Sequence, residues 1–141
     1  MILLDTNILS ELMRPTPEAA VEQWLADQPV ASVFISAITE AELRYGLALM
    51  PSGKRRSALA VEIEDMLGED FSGRILPFDS PAAVAFAEIA AERRQTGRPI
   101  SQADAQIAAI ARSRGAALAT RNVADFEGCG VEIINPWSSA S

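Results

Sequence analysis

The sequence predicts a three-layer α/β/α domain on a mostly parallel central sheet of about five strands. Short apolar strand-like runs alternate with longer helix-like segments along the chain, so successive strands are joined by right-handed crossovers and the sheet is covered on both faces. The 141 residues, 49% hydrophobic and 22% charged, suit one compact domain spanning 1–141. No internal repeat, low-complexity tract or linker divides them.

Ile2 to Leu4 reads as the first strand. Ile8 to Met13 follows as a short helix stopped by Pro15, and Pro17 to Asp27 as a second helix with Ala20, Val21, Trp24 and Leu25 on one face. Val33 to Ile35 is the next strand. A helix runs from Thr39 to Leu49, Pro51 to Gly53 break it, and Lys54 to Leu67 forms another with Leu59, Ile63, Met66 and Leu67 inward. Ile75 to Phe78 is the third strand. Pro81 to Thr96 is an alanine-rich helix closed by Gly97; Gln102 to Arg114 is a helix with Ala103, Ile107, Ile110 and Ala111 on one side and Gly115 as its stop. Ala117 to Ala119 and Val131 to Ile134 complete the strands.

Composition removes whole classes of chemistry. The chain has no histidine, which excludes Ser-His-Asp and Cys-His schemes and any histidine general base. One cysteine, Cys129, makes neither an internal disulfide nor an ordinary zinc site and reads as a small, partly buried filler. The N-terminus lacks the signature of a secretory signal, and no apolar run has the length of a membrane span, so a cytoplasmic protein without membrane contact is expected. Carboxylates, hydroxyls, amides or metal must carry any reaction. A net charge of −7 argues at first sight against a nucleic-acid partner.

In parallel α/β sheets ligands collect outside the carboxyl ends of the strands. Asp5 ends the first strand there. Glu42 falls in the first turn of the helix after the second strand, Asp104 in the first turn of the helix opened by ISQAD, and Asp125 after the strand ALA, within ATRNVADF. Each also has a plainer reading. Thr39 with Glu42 fits a T-x-x-E capping box, Ser101 with Asp104 nearly does, Asp125 suits a turn and Asp5 an N-cap.

The four acids occur in a wider pattern. LLDTN at 3–7, ITEAELRYG around Glu42, ISQADAQIAAIA around Asp104, and ATRNVADF followed by INPW at 134–137 together resemble the PIN-domain ribonucleases, above all the VapC-type toxins of bacterial toxin–antitoxin pairs and their FitB-like group. The likeness covers nearly the whole chain in order. It implies a PIN-like fold and an active site of Asp5, Glu42, Asp104 and Asp125. Thr6, Asn7, Thr120 and Asn122 are implied as groups that hold those acids or orient substrate.

Physical chemistry gives the acids a reason to converge. Two carboxylates about 4 Å apart repel by roughly 4 kcal/mol at an effective dielectric of 20. A divalent cation cancels that cost, and an all-oxygen ligand set selects hard Mg²⁺ or Mn²⁺. Asp5 is then best read as a rigid metal ligand. The same cation bridges an acidic pocket to a phosphodiester and lowers the pKa of its water, which removes the charge objection. The expected reaction is metal-dependent hydrolysis of RNA by in-line attack of that water, leaving 5′-phosphate and 3′-hydroxyl ends as the resemblance implies. Asp5, Glu42 and Asp104 would hold the main ion, and Asp125 would complete the site, position water or help hold a second ion.

Eleven arginines and Lys54 make up the basic residues. Lys54, Arg55 and Arg56, and then Arg93 and Arg94, read as solvated helix faces. Arg44 and Arg121 lie nearer the acids and suit either phosphate or carboxylate. Trp24 and Trp137 read as core or interface anchors rather than base-stacking platforms. A receiver-like domain would want a second acid where Asn7 stands. The remaining alternative is a catalytically idle module that acts by pairing with an antitoxin and helping it bind DNA. The resemblance further implies a homodimer neutralised by a small antitoxin lying across the acidic groove, with DNA reached only through that antitoxin. The negative charge would steer a basic partner there, so association should slow in high salt.

Overall fold

A computed structural model of the chain describes residues 1–138; the last three residues of the expected 1–141 domain lie outside the described residues. The strands are β1 (Ile2–Leu4), β2 (Val33–Ser36), β3 (Ile75–Leu76), β4 (Ala117–Ala119) and β5 (Ile133–Ile134). They form one five-stranded sheet in the order β3-β2-β1-β4-β5. Every pair is parallel, with Ile2 beside both Val33 and Ala117, and Leu118 beside Ile133. The chain therefore builds outward from β1 to β3, then crosses back to lay β4 on the other side of β1.

Among the described residues six helices cover the sheet: α1 (Thr6–Leu12), α2 (Ala19–Ala26), α3 (Ala37–Ala48), α4 (Lys54–Asp65), α5 (Ser80–Gln95) and α6 (Gln102–Arg114). The two-residue period of β1 divides the core. Leu3 points to the face covered by α5 and α6, among Ile89, Ile107, Ile110 and Leu118. Leu4 points to the opposite face, among Ile8, Val21, Ile35, Leu43, Ile63 and Phe71. All these side chains are buried, so the expected three layers are present. Replacing either leucine by alanine would remove about 2–5 kcal/mol.

Several boundaries depart from the expected ones for local reasons. Asp5 caps α1 directly, so that helix starts at Thr6 rather than Ile8. Ser36, not Thr39, caps α3: its hydroxyl accepts the N–H of Thr39 at 3.0 Å. The helix begins at Ala37, two residues earlier than expected, and the T-x-x-E capping box does not form. Helix α4 continues as a wider π turn over Met66–Asp70. Strand β3 stops at Leu76, before Pro77, which has no N–H to give a ladder. At α6 the expected stop holds: Gly115 takes φ 66°, and the N–H of Ala116 closes on the carbonyl of Ala111 at 2.9 Å. Val21 is buried in the face expected of α2, with Trp24 and Leu25 half-buried beside it.

Candidate active site

The order of the strands puts a crevice at the carboxyl ends of β1 and β4, where the chain's direction of build reverses. Asp5 leaves β1 at that point, its N–H still bonded to the carbonyl of Ala119 at 2.9 Å. Its side chain is only 5% exposed. One oxygen, Oδ1, accepts the N–H of Thr6 at 2.8 Å; the other, Oδ2, accepts the hydroxyl of Thr120 at 2.7 Å and the Nδ2 of Asn7 at 3.4 Å. Asp5 is thus both the N-cap that sequence allows and a carboxylate held at both oxygens. Burial, the largest influence, raises its pKa; the hydrogen bonds from Thr120 and Thr6 oppose this, and the charges of Asp104 and Glu42 add to it.

A chain of hydroxyls leads to the second acid. Ser36 Oγ donates to Thr39 Oγ1 at 3.4 Å, Thr39 Oγ1 lies 3.0 Å from Thr6 Oγ1, and Thr6 Oγ1 donates to Glu42 Oε1 at 2.7 Å. Thr6 has one proton and gives it to Glu42, so Thr39 must donate to Thr6. The direction is therefore fixed from Ser36 outward. Because α3 starts at Ala37, Glu42 sits in its second turn, not its first, and faces Thr6 across from α1 rather than its own cap. The capping explanation for Glu42 fails on this geometry.

Asp104 keeps its expected place in the first turn of α6, its N–H donated to Ser101 Oγ at 3.2 Å. Burial is the main cause of its raised pKa; Ser101 lowers it, the charge of Asp125 raises it, and that of Arg93 lowers it. Asp125 itself is exposed, on a 3₁₀ turn at Val123–Phe126. That turn is held by Arg93, whose side chain is buried, contrary to the solvated face expected of it. Arg93 Nη1 donates to the carbonyls of Asp125 at 2.9 Å and Glu127 at 3.3 Å, and Nε to the carbonyl of Arg98 at 2.7 Å. The last turn of α5 faces the 123–129 loop, and loop carbonyls need a donor. Cys129 is the buried filler expected, 3.5 Å from Arg93 Nη1, and burial raises its thiol pKa.

A concavity of about 280 Å³ gathers Asp5, Thr6, Asn7, Ser10, Glu42, Asp104 and Asn122. Six of the eight residues singled out from sequence therefore share one hollow. Thr120 lies buried beneath it on Asp5, and Asp125 stands beside it, coupled through Asp104. Ser10, Ser36, Thr39 and Arg93 are additions. Ser10 was within reach of pattern alone, one helical turn beyond Asn7. Among the described residues, no three acids stand close enough to hold one ion in common. The donor set nevertheless fits a hard divalent cation: all oxygen, two members with raised pKa, and charges that repel one another.

Larger apolar hollows lie elsewhere. One of about 520 Å³ between α1, α2 and the π turn is lined by Leu9, Leu12, Met13, Leu25, Met66 and Phe71, with Glu62, Asp65 and Asp70 also on its wall. Among the described residues, no helix is long and apolar enough to cross a membrane.

Residues 2–127 match the family model of the PIN domain. The chain is 44% identical to the VapC ribonuclease Y4jK of Sinorhizobium fredii, over 99% of this chain and 100% of that protein. It is 43% identical to the toxin FitB of Neisseria gonorrhoeae, over 97% of this chain and 99% of that one. The solved structure of a FitAB complex bound to a DNA fragment superposes with a TM-score of 0.93 at 41% identity, covering 100% of this chain and 99% of that chain.

Proposed function

From the premise that this chain belongs to the PIN-domain family, alongside VapC and FitB toxins, we propose that it is a metal-dependent endoribonuclease and the toxin of a toxin–antitoxin pair. The observation that carries the reading is the hollow itself: Asp5, Glu42 and Asp104 line one acidic recess at the carboxyl edge of the sheet, in a chain without histidine. One domain over 1–141 carries the whole activity. A bound ion would offset the mutual repulsion of Asp5, Glu42 and Asp104 and draw them together as its ligands, with Asp125 beside them; Mg²⁺ or Mn²⁺ would supply charge neutralisation for the phosphate and a water acidic enough to act near neutral pH.

The chain's own groups set the geometry. Thr6 N–H and Thr120 fix both oxygens of Asp5, and Thr6 Oγ1 aims Glu42. Asn7 and Asn122, on the wall of the hollow, orient the substrate's phosphate and ribose. Water adds to phosphorus and gives up a proton, the bond to the 3′ oxygen breaks, and that oxygen gains a proton, so the net change is addition of one water, leaving 5′-phosphate and 3′-hydroxyl ends.

The partners follow from the same reading. A basic, amphipathic antitoxin segment suits the apolar hollow beside α1, whose wall also carries three acids. The toxin acts in the cytoplasm as a homodimer, and DNA is bound through the antitoxin. Antitoxin-free protein incubated with varied RNAs and Mg²⁺, Mn²⁺ or EDTA tests the activity. Cutting that needs metal and leaves 5′-phosphate ends is expected. A 2′,3′-cyclic phosphate product would rule out this route.

A further inference from the structure

We propose that Arg121, laid against the ring of Trp137, binds an RNA phosphate adjoining the one that is cut; this rests on the ribonuclease reading above. Its guanidinium Cζ lies 5.1 Å from the centre of the Trp137 ring. A guanidinium placed over an aromatic ring keeps N–H groups available for a bidentate phosphate contact. Trp137 is half-buried, and its backbone N–H donates to Asn135 Oδ1 at 3.0 Å, which anchors the segment that carries the ring. A stacked guanidinium has fewer rotamers to lose when substrate arrives.

Position supplies the second part. Thr120, one residue before, donates to Asp5, and Asn122, one residue after, lines the acidic hollow. The N–H of Arg121 itself meets Asn7 Oδ1 at 3.4 Å. Arg121 is exposed and makes no ion pair within 4 Å among the described residues, although Glu11, already paired with Arg14 at 3.1 Å, feels its charge. Arg44, the other basic residue expected near the acids, is spent: it pairs with Glu40 at 2.9 Å and also with Glu64. A chain of net charge −7 needs a placed cation at the lip of an acidic hollow to hold a polyanion, and Arg121 is so placed.

The test compares wild type with Arg121→Ala, Arg121→Lys and Trp137→Leu, each as the full antitoxin-free chain cutting one RNA with Mg²⁺ across a range of salt. Arg121→Ala is expected to raise KM about tenfold with kcat within about twofold, and to flatten the slope of log KM against log salt by about 0.7, the loss of one single-strand phosphate contact. Arg121→Lys should recover the slope but only part of the KM, and Trp137→Leu should raise KM while leaving the slope. If wild type cuts RNA and Arg121→Ala has unchanged KM and slope, or loses only kcat, the phosphate contact is wrong and the nuclease reading stands. If folded wild type cuts no RNA, both fall.

Discussion

Asp5 and Asp125 leave neighbouring parallel strands at the same edge of the sheet, yet they are held in opposite ways. Asp5 is buried, pinned at both carboxylate oxygens, and tied by its backbone to β4. Asp125 is exposed on a short 3₁₀ turn, and its firm contact is through its carbonyl, which Arg93 grips from below. The fold fixes the side chain of one and only the backbone of the other. A carboxylate held by burial and preset hydrogen bonds suits a permanent ion ligand, whereas a free one at the rim suits a group that swings in to complete the site.

The largest break between the two should come from charge removal. Asp5→Asn is expected to lower kcat/KM about a thousandfold and Asp125→Asn only about tenfold, read in the same RNA cleavage assay. Equal losses would erase the distinction. Next comes Arg93→Ala, which removes the hydrogen bonds to the carbonyls of Asp125 and Glu127 and leaves a buried gap, at about 2–4 kcal/mol of stability in urea unfolding. Divalent-ion affinity should survive it, because Asp5 is untouched.

Thr6→Val sharpens the pinned side. It deletes the hydroxyl that Glu42 accepts and should cost about tenfold in activity, with Thr39→Val costing less because it acts one link further back. The smallest effect is on stability and pH. Asp5 has a folded pKa raised by burial, so between the ordinary aspartate value and that raised value the folded form keeps a proton that the unfolded chain has released. Its contribution is fully present below the ordinary aspartate pKa and is lost as pH rises through the raised value. Asp5→Asn should therefore raise Tm at pH 7 and give no gain under acid conditions, measured without divalent ions. Asp125→Asn, at an exposed side chain, should leave Tm nearly unchanged.

Much of this contrast is legible in the amino-acid sequence. The apolar run into Asp5 and the order of the four acids place them at one sheet edge, because parallel crossovers send every strand the same way. The three layers follow from the same alternation. What escapes is tertiary. Ser36 and Thr39 are both good caps, and choosing Ser36 moves the cap of α3 by three residues and turns Glu42 from a capping partner into the end of a hydroxyl chain that runs from Ser36 through Thr6 of α1. Arg93 looks like half of a solvated basic run, and only the fold brings loop carbonyls to it. Arg121 and Trp137, sixteen residues apart, carry no spacing rule that would pair them.

Calorimetric titration of Mn²⁺ into wild type, Asp5→Asn and Asp125→Asn tests the central contrast without any RNA. The expected result is saturable binding by wild type, none by Asp5→Asn, and weakened but measurable binding by Asp125→Asn. Binding that survives in Asp5→Asn and vanishes in Asp125→Asn would contradict the assignment of the buried, pinned carboxylate as the ion's principal ligand.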